Sequence, residues 1–403
     1  MVGPVRASYG GAVADPIELV DLRSQQARLR PALEEAIAAV LDHGAYVDGP
    51  EVDALEAELA RRSGAHHAIS CASGTHALLL VLLAWGVGPG DAVVVPSLTF
   101  AATAEAVVLA GALPVFADVD AVAGAIDARS VAAVLDERAA RGIAPPVGAI
   151  SVDLHGLPVD VAPVAHELAP TGGWVLSDAA QSFGASIGGV PVGSSVDGRA
   201  TTTSFFPAKP LGAYGDGGAV FVDDAETATT VRSLRHHGQG ADRFEHVRVG
   251  ITGRLDTIQA AVLLQKLTIF DDELAARERI ARRYLHQLGP VVADVGPDRL
   301  ALPVVPEGCT SSWAQFAVQV AERDRVSGAL GADGVPTGRH YPHALVDQPA
   351  FARCPDPTGS PVARRVAART LSLPMHPYLT EAQQDDVVTS LARAVRAGGA
   401  GPG

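Results

Sequence analysis

The sequence feature that most constrains the fold is an alternation of short apolar runs with segments that are helical in periodicity or rich in glycine. The apolar runs are residues 92–96, 113–118, 147–154, 174–178 and 202–206, and a further short strand is expected at residues 67–70. Runs that are apolar throughout and interleaved with helices are typical of a mainly parallel sheet that is covered on both faces. The sequence therefore predicts an α/β fold built on such a sheet.

Segments of helical periodicity precede this alternation and follow it. Residues 28–44 carry apolar side chains at helical spacing, and Gly44 suits a C-terminal cap. A last helix is predicted to begin at Thr380, with Gln383 three residues later in a capping box. We expect four regions, namely a flexible lead (residues 1–16), a large domain (17–270), a smaller α+β domain (271–395) and a disordered tail (396–403).

Composition argues against several classes of function. The 403-residue chain has a formal net charge of -14, which disfavours nucleic acid as its main partner. Its apolar runs are interrupted too often to supply a membrane-spanning helix, and its first residues contain no apolar signal core. The cysteines, Cys71, Cys309 and Cys354, are far apart and odd in number, so we expect neither a disulfide framework nor a metal site. These features favour a protein of the reducing cytoplasm.

The stretch SCASGTHALLLVLL, residues 70–83, has the pattern of a helix start that binds phosphate. Ser73 can cap the helix, and Gly74 and Thr75 in its first turn leave backbone N–H groups free for an anion. An ordinary capped helix without a ligand is the alternative interpretation. The later run GAYGDGG is interpreted as a turn between strands, because an apolar strand follows it where a dinucleotide-binding loop requires a helix.

Two charged residues stand in apolar surroundings. Asp178 ends an apolar strand, where open α/β sheets hold their ligands, so its carboxylate is expected either to cap a following helix or to pair with a cation. Lys209 follows Phe205, Phe206 and Pro207, which we expect to form an apolar approach that lowers the pKa of its amine. An exposed loop lysine is the alternative at this position.

Together these residues supply the groups that pyridoxal phosphate (PLP) requires. The cofactor needs a lysine for its aldehyde, an acid for its ring nitrogen, and N–H and hydroxyl donors for its phosphate. Lys209, Asp178 and the helix start at Gly74 and Thr75 match those three needs. Their order along the chain is that of the PLP-dependent superfamily called fold type I.

Several longer motifs occur in an order that is itself informative: PSLTFAATAEAV, SDAAQSFGA, SFFPAKPLGAYGDGGAV, RHHGQG and GRLDTIQAAVLLQKL. From about residue 17 to residue 395 the sequence resembles the DegT/StrS family of nucleotide-sugar aminotransferases. The resemblance implies a fold type I transferase in which Lys209 forms the internal aldimine with PLP, and this lysine favours amino transfer over dehydration. The other cofactor contacts that it implies are Asp178 at the ring nitrogen, Gln181 at the ring hydroxyl, Phe100 against the ring face, and Gly74, Thr75 and Ser204 at the phosphate.

One position departs from the family pattern. Many members have Gly-x-Asn-x-Arg where this sequence has GITGR, so Thr252 replaces an asparagine that reaches the phosphate of the partner subunit. The family's active site lies at a subunit interface, and the resemblance therefore still implies a homodimer. The motifs are most similar to the branch that aminates C3 of UDP-linked 3-keto sugars, which implies a substrate pocket with Arg254, His340 and Tyr341. Pairing of Arg254 with Asp256 or a neighbour, and a packed loop at His340, are the alternatives.

The pair of Lys209 and Asp178 motivates the hypothesis of a ping-pong reaction, in which the resemblance implies L-glutamate as the amino donor. L-Glutamate gives its amino group to the cofactor, a keto nucleotide-sugar then takes it, and Lys209 serves as base and acid in both halves. Two alternatives stay open. One is transfer to a 4-keto-6-deoxy sugar or to a cyclitol ketone in an antibiotic pathway, and the other is a regulatory protein that binds PLP without turnover.

Overall fold

The computed structural model describes residues 16–194 and 200–397 of the chain. The predicted lead lies outside these residues except for Pro16. The predicted tail also lies outside them except for Arg396 and Ala397, which are helical rather than disordered because the last helix continues through them. Within the described residues, no helix is long and apolar enough to cross a membrane.

Strands alternate with helices along the described chain. The strands are, in chain order, β1 (His67–Cys71), β2 (Ala92–Pro96), β3 (Leu113–Ala117), β4 (Gly148–Val152), β5 (Trp174–Asp178), β6 (Ser186–Ile187), β7 (Val190–Pro191), β8 (Ala200–Ser204), β9 (Gly218–Val222), β10 (Leu300–Ala301), β11 (Cys309–Thr310), β12 (Phe316–Val320) and β13 (Thr370–Leu373). Seven of them form the central sheet, in the order β1-β9-β8-β5-β4-β2-β3. The pairs from β8 to β3 are parallel, whereas β9 is antiparallel to both β1 and β8. The prediction of a mainly parallel sheet is confirmed.

The antiparallel placement of β9 follows from its connection to β8. The linking residues 205–217 contain no helix. A parallel pair needs a crossover connection, usually through a helix, and this irregular loop instead turns the chain back on itself. The loop therefore stays at the carboxyl edge of the parallel strands, and it carries Lys209 there.

Helices cover both faces of the central sheet. In chain order, the helices of the described residues are α1 (Leu22–His43), α2 (Pro50–Ser63), α3 (Gly74–Ala84), α4 (Ala102–Leu109), α5 (Ala128–Ala140), α6 (Ala162–Leu168), α7 (Ala225–Arg235), α8 (Thr257–Leu267), α9 (Phe270–Val295), α10 (Arg323–Ala332), α11 (Pro361–Arg369) and α12 (Glu381–Ala397), with short 3-10 helices at Leu154–Gly156, Ala169–Thr171, Leu345–Asp347 and Pro349–Phe351. In β2, Val93 and Val95 pack with α3, α4 and α7, whereas Val94 packs with α5 and α6 on the opposite face. Because both faces are buried, the strand is apolar at every position.

Several helix ends carry the predicted caps. Helix α1 ends at Gly44, whose φ of 72° is left-handed and suits glycine. Ser73 caps α3 by accepting a hydrogen bond from the His76 N–H. At the start of α12, the Gln383 side chain accepts from the Thr380 N–H, and the Thr380 hydroxyl accepts from the Gln383 N–H. This reciprocal pair is the expected capping box.

A second core lies toward the C-terminal end of the described chain. Strands β10, β12 and β13 form an antiparallel sheet that packs with α9, α10 and α12 around Tyr284 and Phe316. Helix α9 contributes Phe270 to a core beside the central sheet and Tyr284 to this second core, so one helix joins the two. The division into domains near residue 270 stays a prediction.

Candidate active site

A cavity of about 530 Å³ opens at the carboxyl edge of the central sheet. The ends of β4, β5 and β8 line it, as do the residues that follow β1 and β2. Ligands of open α/β sheets bind at this edge. The predicted site residues that line the cavity are Gly74, Thr75, Phe100, Asp178, Gln181, Ser204, Lys209, His340 and Tyr341.

Lys209 projects into this cavity from the loop between β8 and β9. Its backbone N–H donates a 2.8 Å hydrogen bond to the Phe206 carbonyl, which holds the loop in a turn. Burial lowers the pKa of the Lys209 amine, and the charge of Asp178 opposes that shift. The amine is therefore easier to deprotonate than that of a solvated lysine. The alternative of an exposed loop lysine does not fit this position.

The apolar approach predicted around Lys209 is only partly correct. Phe206 lines the cavity, but Phe205 points into the core that the central sheet forms with α2 and α8. Successive residues of an extended chain project to opposite sides, so consecutive phenylalanines cannot both face the amine. The burial of the Lys209 amine therefore does not come from a pair of aromatic rings that face it.

Asp178 occupies the last position of β5 and is buried. One carboxylate oxygen accepts a 3.1 Å hydrogen bond from the Ala180 N–H, and the other accepts a 3.4 Å hydrogen bond from the Thr103 hydroxyl. Burial raises the pKa of Asp178, while the Ala180 N–H, the charge of Lys209 and the Thr103 hydroxyl lower it. Because a turn rather than a helix follows β5, Asp178 does not cap a helix, and its relation to a cation is the electrostatic interaction with Lys209.

The start of α3 lies unusually close to the last residue of β8 and the first residue of β9. A Cβ atom on Gly74 would lie 2.7 Å from the Ser204 Cβ, and one on Gly218 would lie 2.6 Å from the Ser73 carbonyl carbon. No larger residue fits either position without a shift of the backbone. This close packing places the Ser204 hydroxyl beside the first turn of α3, whose N–H groups and dipole favour an anion.

Another part of the cavity wall brings together residues that are distant in sequence. The Gln181 amide nitrogen donates a 3.2 Å hydrogen bond to the Tyr341 hydroxyl. The Tyr341 and Phe100 rings lie with centroids 5.7 Å apart. His340 is linked to the Ser372 hydroxyl at 2.8 Å. Burial, together with the nearby His155 and Lys209, lowers the pKa of His340 to about 4, so its ring is neutral near pH 7.

Two predicted site residues do not line the cavity formed by their own chain. The Thr252 hydroxyl lies 2.8 Å from the His237 ring nitrogen, and Thr252 is exposed. The Arg254 guanidinium lies 3.4 Å from the His236 ring nitrogen, so the neighbour it contacts is this histidine rather than Asp256. Both residues are placed by the short segment before α8, whose Gly253 carbonyl accepts a hydrogen bond from the Ala72 N–H.

The structure also brings residues to the site that the sequence reasoning missed. Thr103 contacts Asp178, and the Gln315 side chain lines the cavity. Asp153 and His155 follow β4, and burial is the main cause that raises the pKa of the Asp153 carboxyl to about 7. The rule that singled out Asp178, a polar residue at the carboxyl end of a buried strand, would also have found Asp153. No local signal marks Gln315.

The arrangement fits a PLP molecule. It offers an amine, a buried carboxylate and a glycine-packed helix start around one cavity of about 530 Å³, which is within the ordinary range for a small-molecule site. Lys209 could hold the aldehyde, Asp178 the ring nitrogen, and the helix start with Ser204 the phosphate.

Comparisons with known proteins agree with this arrangement. The sequence profile of the DegT/DnrJ/EryC1/StrS aminotransferase family matches residues 28–392. The chain is 43% identical over 369 residues to the UDP-2-acetamido-2-deoxy-3-oxo-D-glucuronate aminotransferase of Pseudomonas aeruginosa, covering 91% of this chain and 97% of that protein. It is 40% identical over 382 residues to the UDP-N-acetyl-3-dehydro-alpha-D-glucosamine 3-aminotransferase of Acidithiobacillus ferrooxidans, covering 94% and 98% of the two chains. The crystal structure of a DegT DnrJ EryC1 StrS aminotransferase from Brucella abortus has a TM-score of 0.88 and 43% identity, covering 94% of this chain and 99% of that one.

Proposed function

The chain belongs to the DegT/DnrJ/EryC1/StrS aminotransferase family, and we propose that it moves an amino group from L-glutamate to C3 of a UDP- or dTDP-linked keto sugar. It is a PLP-dependent sugar aminotransferase that acts on a keto nucleotide-sugar. The observation that carries the proposal is the placement of the Lys209 amine and the Asp178 carboxylate in one cavity, beside a helix start suited to phosphate.

We assign the cofactor contacts by the chemistry of each residue. When bound, PLP supplies an electron-withdrawing ring that makes removal of a proton from the neighbouring carbon easier. The Asp178 carboxylate, oriented by Thr103 and Ala180, keeps the ring nitrogen protonated. The remaining assignments are Gln181 at the ring hydroxyl, Phe100 at the ring face, and Gly74, Thr75 and Ser204 at the phosphate.

Lys209 both bonds the cofactor aldehyde and moves the proton in our proposal. Burial lowers the pKa of its amine, so more of it is unprotonated near pH 7 than in a solvated lysine. An unprotonated amine is a nucleophile and a base. Once the glutamate amino group has replaced Lys209 at the cofactor aldehyde, the freed amine would take the α-proton of glutamate in the first half of the reaction and would deliver a proton to the sugar carbon that gains nitrogen in the second half.

The choice of C3 rests on the relatives named above. The relatives from Pseudomonas aeruginosa and Acidithiobacillus ferrooxidans are both named for 3-keto UDP-sugars. In this chain, His340 and Tyr341 line the same cavity as Lys209 and are the residues we assign to the sugar. Transfer to a 4-keto-6-deoxy sugar or a cyclitol ketone is the alternative within the same chemistry.

The function is tested by its two half-reactions. We expect excess L-glutamate to bleach the visible absorbance of the PLP-loaded protein, and a 3-keto UDP-sugar to restore it. A panel of 3-keto and 4-keto sugars on UDP and dTDP identifies the acceptor. A protein that keeps its colour in excess glutamate would instead be the non-catalytic PLP-binding protein of the second alternative.

We further propose that the enzyme is a homodimer whose subunits complete each other's sites. Thr252 and Arg254 lie outside their own cavity, and large apolar side chains are exposed nearby, including Phe244 (80% exposed) and Val249 (95% exposed). Large apolar side chains that are exposed within one short segment suit an association surface if they form one patch. The reducing cytoplasm is the compartment we propose for the reaction.

Mixed dimers test this arrangement. Lys209→Ala and Arg254→Ala proteins are expected to be defective separately, the second through a raised KM for the sugar. If Arg254 serves the partner's cavity, refolding the two together creates dimers with one intact site, and activity returns. A mixture no more active than its two components would show that Arg254 acts within its own chain or not at all.

A further inference from the structure

His155, which lies three residues after the end of β4, has an unusual backbone conformation beside the cavity. Its φ of 61° and ψ of 6° are left-handed, and residues with side chains adopt that region uncommonly. Such a backbone conformation is strained, and conformations of this kind cluster at functional sites. The next residue, Gly156, is packed so closely that a Cβ would lie 2.5 Å from the Ser312 hydroxyl oxygen. The chain therefore keeps His155 in a constrained position.

Three hydrogen bonds connect His155 to three separate parts of the cavity wall. Its backbone N–H donates to the Gln181 side-chain oxygen at 2.7 Å. Its ring Nε2 lies 2.7 Å from the His340 carbonyl oxygen. Its own carbonyl accepts from the Gln315 N–H at 3.3 Å. Since Gln181, His340 and Gln315 all line the cavity, one residue joins the part we assign to the cofactor with the part we assign to the sugar.

These contacts determine the orientation of two polar groups. A carbonyl oxygen can only accept, so Nε2 of His155 carries a proton, and burial lowers the pKa of the ring, which favours its neutral form. A backbone N–H can only donate, so the atom of Gln181 that faces it must be the amide oxygen. The Gln181 amide nitrogen is then the group turned toward Tyr341 and the cavity.

We propose that His155 is a positioning residue that holds the segment 340–341 against the cofactor side of the cavity through its ring, and orients the Gln181 amide through its backbone. This inference rests on the aminotransferase function proposed above. The proposal predicts that substitutions of His155 affect the two half-reactions differently. Loss of the ring contact should loosen the sugar wall and leave the glutamate half-reaction intact, because the backbone contact to Gln181 does not depend on the side chain.

The test compares three substitutions that separate the ring contact from the backbone conformation. His155→Phe keeps the size of the ring but lacks the donor, and His155→Gln keeps an N–H donor near the place of Nε2. His155→Gly lacks the side chain and adopts the left-handed region without strain, so it decides the question if the phenylalanine variant does not fold. His166→Gln, at an exposed position on α6, is the matched control.

We expect His155→Phe and His155→Gly to raise the KM for the keto sugar about tenfold, the size expected for one lost hydrogen bond. The rate of the glutamate half-reaction should stay within about twofold of wild type, because the ring contact to His340 is separate from the groups that serve this half-reaction. The absorbance spectrum of the loaded protein should be unchanged. His155→Gln should recover most of the loss. Independently of turnover, hydrogen exchange of the peptide covering residues 338–342 should be faster in the phenylalanine and glycine variants than in wild type or His155→Gln.

Two results would overturn the proposal. One is unchanged exchange of residues 338–342 in His155→Gly, and the other is an equal loss in both half-reactions, which would indicate a general structural role. A wild-type protein that carries out neither half-reaction refutes the proposed function instead. In that case the exchange measurement alone still decides whether the ring of His155 holds the segment 340–341.

Discussion

The protein contains two lysines, and they differ in what surrounds them. Lys209 faces the cavity at the carboxyl edge of the central sheet, close to Asp178. Lys266, on α8, is only 2% exposed, and its amine lies 4.4 Å from the centre of the Tyr214 ring with no hydrogen-bond partner among the described residues. Burial lowers the pKa of both amines, that of Lys266 to about 8.

This difference shows that a lowered pKa does not by itself identify a nucleophile. Lys209 lines the cavity beside Asp178, whereas Lys266 does not line it. Lys266 has Glu273 in its neighbourhood, but that carboxylate accepts hydrogen bonds from Gln25 and Tyr378. Access for a substrate, rather than burial or charge alone, separates the two lysines, and the following substitutions test that separation.

The largest effect is expected from Lys209→Ala. Without the amine the protein loses its nucleophile and its acid–base group, so kcat should fall by at least about 10⁴-fold. The measurement is the rate of glutamate-dependent bleaching of the loaded protein. Lys266→Ala, assayed under the same conditions, is the matched control and should retain the reaction. Activity in Lys209→Ala comparable to that of wild type would show that Lys209 is not the reacting lysine.

The second-largest loss of kcat is expected from Asp178→Asn. An amide in place of the carboxylate keeps the shape of the side chain but no longer stabilises a protonated ring nitrogen, and kcat should fall on the order of 100-fold. Glu273→Gln is the corresponding change beside Lys266 and should alter stability more than rate. Equal losses of kcat in the two variants would contradict the assignment of different roles to the two regions.

Lys266→Met should change the pH dependence of stability and leave kcat near wild type. In the unfolded chain the amine keeps its proton up to about pH 10.5, whereas in the folded protein it loses it at about pH 8. Between these values the unfolded state binds more protons, so the free energy of unfolding of the wild type should rise with pH, by about 3 kcal/mol at most. Below about pH 8 this group should contribute no pH dependence. Urea unfolding at several pH values measures this increase in the free energy of unfolding. The same increase in Lys266→Met would show that Lys266 does not cause it.

The smallest effect is expected from Tyr214→Phe. The Tyr214 hydroxyl is buried without a hydrogen-bond partner among the described residues, so its removal leaves no other group unpaired. The free energy of unfolding should change by less than about 0.5 kcal/mol. The ring itself stays beneath the Lys266 amine in this variant. A loss of several kcal/mol, measured by urea unfolding, would mean that the hydroxyl has a partner, such as a bound water.

Much of the fold could be predicted because its signals are local. The strands at 92–96 and 174–178 have the predicted bounds, since continuous apolar runs with polar or glycine-rich ends mark strands that are buried on both faces. The caps at Gly44 and Ser73 were also predictable from single residues at helix ends. The roles of the individual site residues stay predictions, although the structure brings most of them into one cavity.

Other features could not be predicted because they depend on partners that are far away in sequence. The contact between His155 and His340 joins positions 185 residues apart, and no periodic pattern reports such a pair. The direction of Phe205 into the core was likewise settled by its packing against α2 and α8 rather than by its neighbours in the chain.

The sequence by itself determined the alternation of buried strands and covering helices, the helix caps, and the order of the helix start at Gly74, the acid and the lysine along the chain. Hydrophobic periodicity and capping act between residues a few positions apart, so they can be recognised in the linear chain. Only the tertiary structure decided which of the two lysines lines the cavity, which distant side chains line it with that lysine, and that Thr252 and Arg254 stand outside it. Those outcomes depend on how strands and helices pack across long sequence separations, and close packing selects one arrangement from many that the local signals allow.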